Sequence, residues 1–333
     1  MQPHDLNRRQ MAGQRIIAGF QGTGFNADLK HLIRDLCVGG IILFSRNIES
    51  RAQLRQLTAD ARDYAKDCGQ APLFVAVDQE GGSVARLKAP EFTEFGDAAD
   101  FSGKIDAARF ARITAAELSD SGINMDMAPV MDVADPGIES VMARRAFGTN
   151  AGYVAEIGTE IINGLQRNRI MAVAKHFPGI GRTTLDSHLD LPDLNTPVQS
   201  LQARDLVPFQ AAIKADAAGI MLSHIRYGAF DRHWPASLSA AVAERLLRAE
   251  MGYNGLVMTD DLEMGAVEKH YGMETMISRI MAAGIDIALI CHSMDKIRTA
   301  AQIFKQTIKD ENQHRRQAES VSRIFSAKRR YLL

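Results

Sequence analysis

Eight short apolar, β-rich runs recur along the 333 residues, at 15–19, 40–44, 73–77, 124–131, 170–174, 219–222, 255–259 and 285–290. Segments with helical spacing separate them, such as Ala107 to Leu118, Val154 to Leu165, Leu201 to Ala215 and Ala240 to Met251. Runs too short for helices, alternating with amphipathic segments, are what repeated β/α units require. Gly39, Gly122, Gly219, Gly255 and Gly284 each fall just before a run, where the preceding helix needs a left-handed residue to end. Connections into the runs are therefore short, whereas those leaving them, at 79–103, 133–147, 177–200 and 224–239, are long and irregular. That asymmetry predicts an α/β chain folded as a single (β/α)8 TIM-type barrel over 1–333, with its site on the face where the strands end. An open doubly wound sheet is the rival fold, but no GxGxxG follows the first run. Gly-Ile recurs at 122, 219 and 284, but the unequal spacing points to convergent strand-start chemistry rather than a repeat.

With 39 basic and 40 acidic residues the formal charge is -1. The only basic segment lies at the C-terminal end around Arg315, Arg316, Lys328, Arg329 and Arg330, and reads as a solvated helix, so nucleic acid is not an expected partner. Cys37, Cys68 and Cys291 are odd in number and form no CxxC pair, which suits a reduced, cytoplasmic protein. Residues 1–15 are polar, without a signal-peptide run, and no later run approaches the ~18 residues of a membrane span. A soluble chain with no membrane partner is expected.

Residues 175–192, KHFPGIGRTTLDSHLDLP, carry the densest chemistry. Lys175 and His176 stand at the exit of the fifth run, and a loop broken by Pro178, Gly179 and Gly181 then brings Asp186 and His188 two residues apart. A carboxylate at that spacing can fix the tautomer of an imidazole and raise its basicity, which a proton-transfer residue needs near neutral pH. The run ending TDD offers Asp260 and Asp261. One can enter the pocket as a carboxylate nucleophile while the other caps the next helix, and alternation does not choose between them. In VDQEGGSVARL, Asp78 can accept hydrogen bonds from ligand hydroxyls, with Gly81 and Gly82 folding the loop back so that Arg86 also reaches the ligand. Arg144 and Arg145 in ARRAFG could line the same pocket, although an unassigned Arg more often lies at the surface. Ser45, Arg46, Glu80, Asp132, Ser223, His224 and His292 complete the polar groups at strand ends, the last two His read first as structural.

These residues resemble the bacterial β-N-acetylglucosaminidases of glycoside hydrolase family three. The likeness runs through GGIILFSRNI, VDQEGGSVARL, INMDMAPVMDV, RRAFG, AKHFPGIGRTTLDSHLDLP, PASLS, GLVMTDDLEMGA and AGIDIALICH. It implies a single-domain barrel, monomeric and without cofactor or metal. The implied reaction is removal of terminal β-linked N-acetylglucosamine from muropeptides or chitooligosaccharide-like glycans in the cytoplasm. It further implies Asp260 as nucleophile, His188 as general acid/base with Asp186 as its partner, and Asp78, Arg86, Arg145, Lys175 and His176 as the groups that hold the sugar. Two departures, Ile180 in place of a second His with Arg182 following Gly181, and Ser83 where an Arg is common, bear on the outer pocket. Alternative readings are a β-glucosidase or an N-acetylglucosaminide phosphorylase of the same family. A metal-dependent barrel hydrolase would use His176 and His224, but it would want an HxH after the first run, where the chain reads GFQGTG, and no HExxH occurs.

Overall fold

A computed structural model describes residues 3–185, 187, 189–306 and 311–333, the side chains of 311 and 312 excepted. Its centre is a closed barrel of eight parallel strands, β1 (Ile16–Ala18), β2 (Gly40–Leu43), β3 (Phe74–Val77), β4 (Met125–Asp126), β5 (Met171–Phe177), β6 (Gly219–Leu222), β7 (Leu256–Asp261) and β8 (Ile287–Ile290). Neighbours around the barrel follow chain order, with β1 closing onto β8 through Ile16 and Ala288. The eight expected runs are the eight strands, and their alternation divides the apolar residues into two layers. Ile16, Ile41, Leu43, Val75, Ile220 and Val257 face the surrounding helices. Ile17, Ile42, Phe74, Met171, Met221 and Met258 fill the interior, as a period of two on a sheet buried on both faces demands.

The fourth and fifth strands differ most from expectation. The fourth run yields only Met125–Asp126, with a further single bridge from Val130 to Lys175. Pro129 stands between them, joined to Ala128 by a cis peptide, and has no N–H for the ladder. The fifth strand runs through Phe177 rather than stopping at 174, which places Lys175 and His176 inside it.

Helix ends are built more uniformly than the glycine pattern implies. Cys37, Gly69, Gly122, Arg169, Asp216, Gly252 and Gly284 all lie at φ between 55° and 76°, just beyond a helix. The following amide then reaches back to close the last turn, as in Ile123 N to Leu118 O (2.9 Å) and Ile170 N to Leu165 O (3.1 Å). Gly122 and Gly284 are therefore left-handed as expected, whereas Gly39 and Gly255 are glycines for want of space. A Cβ on Gly39 would sit 2.2 Å from Gln14 O, and one on Gly255 2.3 Å from the Tyr253 hydroxyl.

The basic C-terminal segment is a helix, Glu311–Leu332, but it is not solvated throughout. Val321, Ile324, Phe325 and Tyr331 join the interior layer and close the end of the barrel where the strands begin. Lys328 is 1% exposed, its Nζ donating to Gln14 Oε1 (2.6 Å) and Gly39 O (2.9 Å) over the Phe74 ring. Burial lowers its pKa from 10.5 to about 7. Between those values the folded chain binds fewer protons than the unfolded chain, so this group makes stability rise as pH climbs from about 7 toward 10.5. At about 1.4 kcal/mol per pKa unit, the gap between the Lys328→Met protein and the parent should shift by a few kcal/mol in the parent's favour over that window. Thermal melts of both across pH 6 to about 10 check this, and a constant offset would show an ordinary lysine. Among the described residues no helix is long and apolar enough to cross a membrane.

Candidate active site

Among the cavities of the described residues, one pair lies at opposite ends of the barrel. The larger, about 720 Å³, lies where strands begin, between Arg62, Asn124, Arg169 and Tyr331. The other, about 340 Å³, lies where they end, and nearly every strand-end polar group expected from the sequence opens into it. Asp78, Glu80, Arg86, Arg145, Lys175, His176, Ser223, His224, Asp260, Asp261 and His292 line it, with Phe44, Ile42, Met221 and Leu289 as an apolar floor. Active sites of this architecture form from the loops at that same face.

Local structure aims these groups. After β3 the chain folds into an antiparallel pair, Gln79–Gly81 with Val84–Ala85, turning at Gly81 (φ 94°) and Gly82 (φ 55°). Gln79 Oε1 accepts from the amides of Arg86 and Leu87, so the returning strand cannot slip. Arg86 Nη2 thereby reaches Asp78 Oδ2 at 3.2 Å, as the glycine turn suggested. Two β-bulges do the remaining work. On β5 the register with β6 shifts between Ala174 and Phe177, and on β7 the register with β8 shifts between Met258 and Asp261. A bulge breaks strict alternation and re-aims side chains. Lys175 and His176, joined by a cis peptide, both line the cavity, and so do Asp260 and Asp261.

At the centre lies an ion network that sequence reading only half identified. Lys175 Nζ stands 2.8 Å from Asp78 Oδ1 and 2.7 Å from Glu80 Oε1. Glu80 also takes both prongs of Arg145, Nε at 2.9 Å and Nη2 at 2.8 Å, a bidentate pair that favours guanidinium over ammonium. Glu80 was not among the expected sugar-holding residues, although its spacing of two from Asp78 on an extended segment puts both on one face. Burial pushes the Glu80 carboxyl up, but Lys175 and Arg145 outweigh it and hold the pKa at about 2. Asp78 is lowered in the same way, burial being overcome by Lys175 and Arg86, and Lys175 is raised against its burial by the two carboxylates. Beneath them Asp126 goes the other way. Burial keeps its carboxyl well above the usual range, so the floor adds no third negative charge. Arg144, by contrast, points outward to Asp97 with a side chain 82% exposed.

The two adjacent acids of β7 have different surroundings. Asp261 is engaged throughout: Oδ1 accepts from the amides of Glu263 (3.1 Å) and Cys291 (3.2 Å), and Oδ2 faces His292 Nε2 at 3.4 Å. Among the described residues the Asp260 carboxylate accepts one hydrogen bond, from the Asp261 amide at 2.8 Å. Burial raises the Asp260 pKa, but His224 and His176 when protonated, that amide and the Lys175 ammonium hold it below the ordinary carboxylate range. It is therefore ionised at neutral pH while facing the cavity.

The remaining histidines act as supports. His224 Nδ1 meets Ser237 Oγ at 2.6 Å and its Nε2 meets Asp261 O at 2.8 Å, which pins the backbone of the Asp260–Asp261 step. His292 joins Arg46 (3.2 Å) to Asp261. His176 is held by Asp132 through Nδ1 at 2.7 Å and keeps Nε2 on the cavity side, so of the two His of the metal reading only His224 has both ring nitrogens on protein partners. Among the described residues no group of three or more His, Cys, Asp or Glu has a metal-binding arrangement. Of the residues in the two departures, Ile180 lines the cavity and is buried, whereas Arg182 turns away to Asp135 and Asp205, and Ser83 is exposed outside it.

Asp186 and His188 lie outside the described residues. Ser187 between them lines the cavity, and its carbonyl accepts from the Ala266 amide at 3.0 Å. Nearby, Lys269 Nζ donates to Leu189 O at 2.7 Å and His270 Nε2 meets Asp190 Oδ1 at 2.6 Å. The loop after β5 thus rests on the segment that follows β7.

Comparison with known proteins agrees with this geometry. Residues 9–327 match the glycosyl hydrolase family 3 N terminal domain. A β-hexosaminidase of Nitrosomonas eutropha is 34% identical over 276 residues, covering 80% of this chain and 78% of that protein. The chain spans about half, 54%, of the length of β-hexosaminidase A of Pseudoalteromonas piscicida, to which it is 32% identical. A family 3 β-N-acetylglucosaminidase from a Paenibacillus strain superposes with a TM-score of 0.94 at 35% identity, covering 98% of this chain and 63% of that one. The chain belongs to glycosyl hydrolase family 3, whose N-terminal barrel domain it forms.

Proposed function

We propose that this barrel is a retaining exo-β-N-acetylglucosaminidase that releases terminal N-acetylglucosamine from muropeptides or related small glycans in the cytoplasm, with residues 1–333 acting as one catalytic domain. The observation that carries the reading is Asp260. It is an ionised carboxylate with a single amide partner among the described residues, opening on the same cavity as a buried network of three cations and two acids. Asp78, Arg86, Arg145, Lys175 and His176 supply donors and acceptors for sugar hydroxyls, and the apolar floor shields the ring from water. Asp260 attacks the anomeric carbon, and the leaving oxygen takes a proton from His188, oriented by Asp186. Water, deprotonated by the now neutral His188, then displaces the sugar from the Asp260 ester with net retention. Imidazole serves here because its ordinary pKa near 6.5 lets it give and take a proton without the large shift a carboxylic acid would need. The place of Ser187 at the cavity supports closure of the 179–191 loop over the bound sugar.

Turnover of a chromogenic N-acetyl-β-glucosaminide against the matching β-glucoside, with and without phosphate, tests the reading. The N-acetyl substrate should be preferred, and the free sugar should be the product. The His188→Ala protein should lose about 10²–10⁴-fold in rate with an unactivated sugar aglycone, and less with a nitrophenolate, whose departure needs no proton. Preference for the glucoside would move the substrate assignment, and sugar 1-phosphate as main product would make the protein a phosphorylase.

A further inference from the structure

Asp132 follows β4 and is completely buried, yet it touches two parts of the site at once. Its Oδ2 lies 2.7 Å from His176 Nδ1, and its Oδ1 accepts from the Ile180 amide at 2.8 Å. Ile180 stands at the root of the loop that carries Asp186 and His188. The backbone amide of His176 also points at both oxygens, at 3.4 and 3.3 Å. Neither His176 nor Ile180 is near Asp132 in sequence, and the contact exists only because β4 and β5 are neighbours in the barrel.

We propose that Asp132 is a positioning residue that fixes His176 as a hydrogen-bond acceptor toward the sugar and ties that imidazole to the root of the acid/base loop. This rests on His176 holding the sugar, as argued above. An ionised carboxylate can only accept, so the proton between Oδ2 and Nδ1 belongs to Nδ1. In a neutral imidazole that leaves Nε2 with its lone pair, and the tautomer is set by the partner on the other nitrogen. Nε2 stands 3.5 Å from Arg145 Nη2, a cationic donor, which suits a lone pair and opposes a second N–H. The cavity then offers a sugar hydroxyl a neutral acceptor between the cationic donors of Lys175 and Arg145. Because the same carboxylate holds the Ile180 amide, a displaced Asp132 disturbs the sugar contact and the loop root together.

Asp132→Asn keeps the shape and removes this logic. An amide whose oxygen stays on Ile180 N–H must turn its NH₂ toward His176 Nδ1, which drives the imidazole proton to Nε2 and sets a donor against Arg145. The tautomer is read directly from the ring ¹⁵N shifts of His176 in labelled protein, assigned with a His176→Gln sample. The parent should show Nδ1–H with bare Nε2. Asp132→Asn should show the proton on Nε2, with kcat/KM for an N-acetyl-β-glucosaminide reduced about 10–100-fold, chiefly through KM. Two results overturn the proposal: a proton on Nε2 in the parent, or an Asp132→Asn protein with unchanged KM, whatever its tautomer. The parent spectrum decides even if the variant fails to fold. A parent that shows the expected tautomer but hydrolyses no glycoside would instead count against the assigned activity.

Discussion

The Asp260→Asn protein is expected to fold like the parent and to lose on the order of 10⁴-fold or more of its turnover. The side chain contributes little to the fold, since among the described residues its carboxylate accepts only the Asp261 amide, which the asparagine oxygen can still accept. What disappears is the negative charge proposed to attack the anomeric carbon, and an amide oxygen is a poor replacement nucleophile. Asp261→Asn should behave in the opposite way. An asparagine oxygen can still hold the Glu263 and Cys291 amides, so activity should fall by about tenfold or less, through altered aim of its neighbour. Asp261→Ala, which leaves those two amides without their acceptor, should cost about 1–3 kcal/mol of stability. Steady-state kinetics with thermal melts of the three variants separate the roles. Greater damage to turnover from Asp261→Asn than from Asp260→Asn would reverse the assignment.

Glu80→Gln should produce a large loss of stability. Glu80 and Lys175 have side chains 4% and 3% exposed, and Glu80 also carries the bidentate pair with Arg145. Removing one partner of a buried pair strands the other, at about 3–5 kcal/mol. The depressed pKa gives an independent figure. A carboxyl moved from 4.5 to about 2 contributes stability that is complete above 4.5 and lost as pH falls toward 2, and at about 1.4 kcal/mol per unit this comes to roughly 3 kcal/mol. Urea unfolding at pH 7 and across pH 2 to 5 should show a less stable variant whose stability falls less steeply in acid than the parent's. KM should rise as well, because Lys175 and Arg145 lose the anchor that aims them. A variant as stable as the parent would mean that water replaces the pair at little cost.

Several parts of the site were legible because they depend on local spacing. The glycine turn at Gly81 and Gly82 announced that Arg86 would return toward Asp78, and it does so at 3.2 Å. Glu80 was legible too, through its spacing of two from Asp78, but charge beside a glycine turn reads as solvated unless its partners are known. Those partners, Lys175 and Arg145, lie 95 and 65 residues further along the chain. Lys328 illustrates the same failure, since a Lys among Arg residues in a polar helix gives no sign that its face closes the barrel.

The amino-acid order alone determined the eightfold β/α alternation, the face on which the long loops gather and the polar groups carried at the strand ends. Each of these follows from periodicity and from where helices can stop. Tertiary structure decided that Asp261 is tied to neighbouring amides while Asp260, among the described residues, accepts only the Asp261 amide, and that Lys175 and His176 share one mouth. It also made Asp132, remote in sequence, the partner of His176. Bulges on β5 and β7 and the closure of the barrel produce these relations. Both depend on hydrogen bonding between strands, which the local pattern of a single strand does not encode.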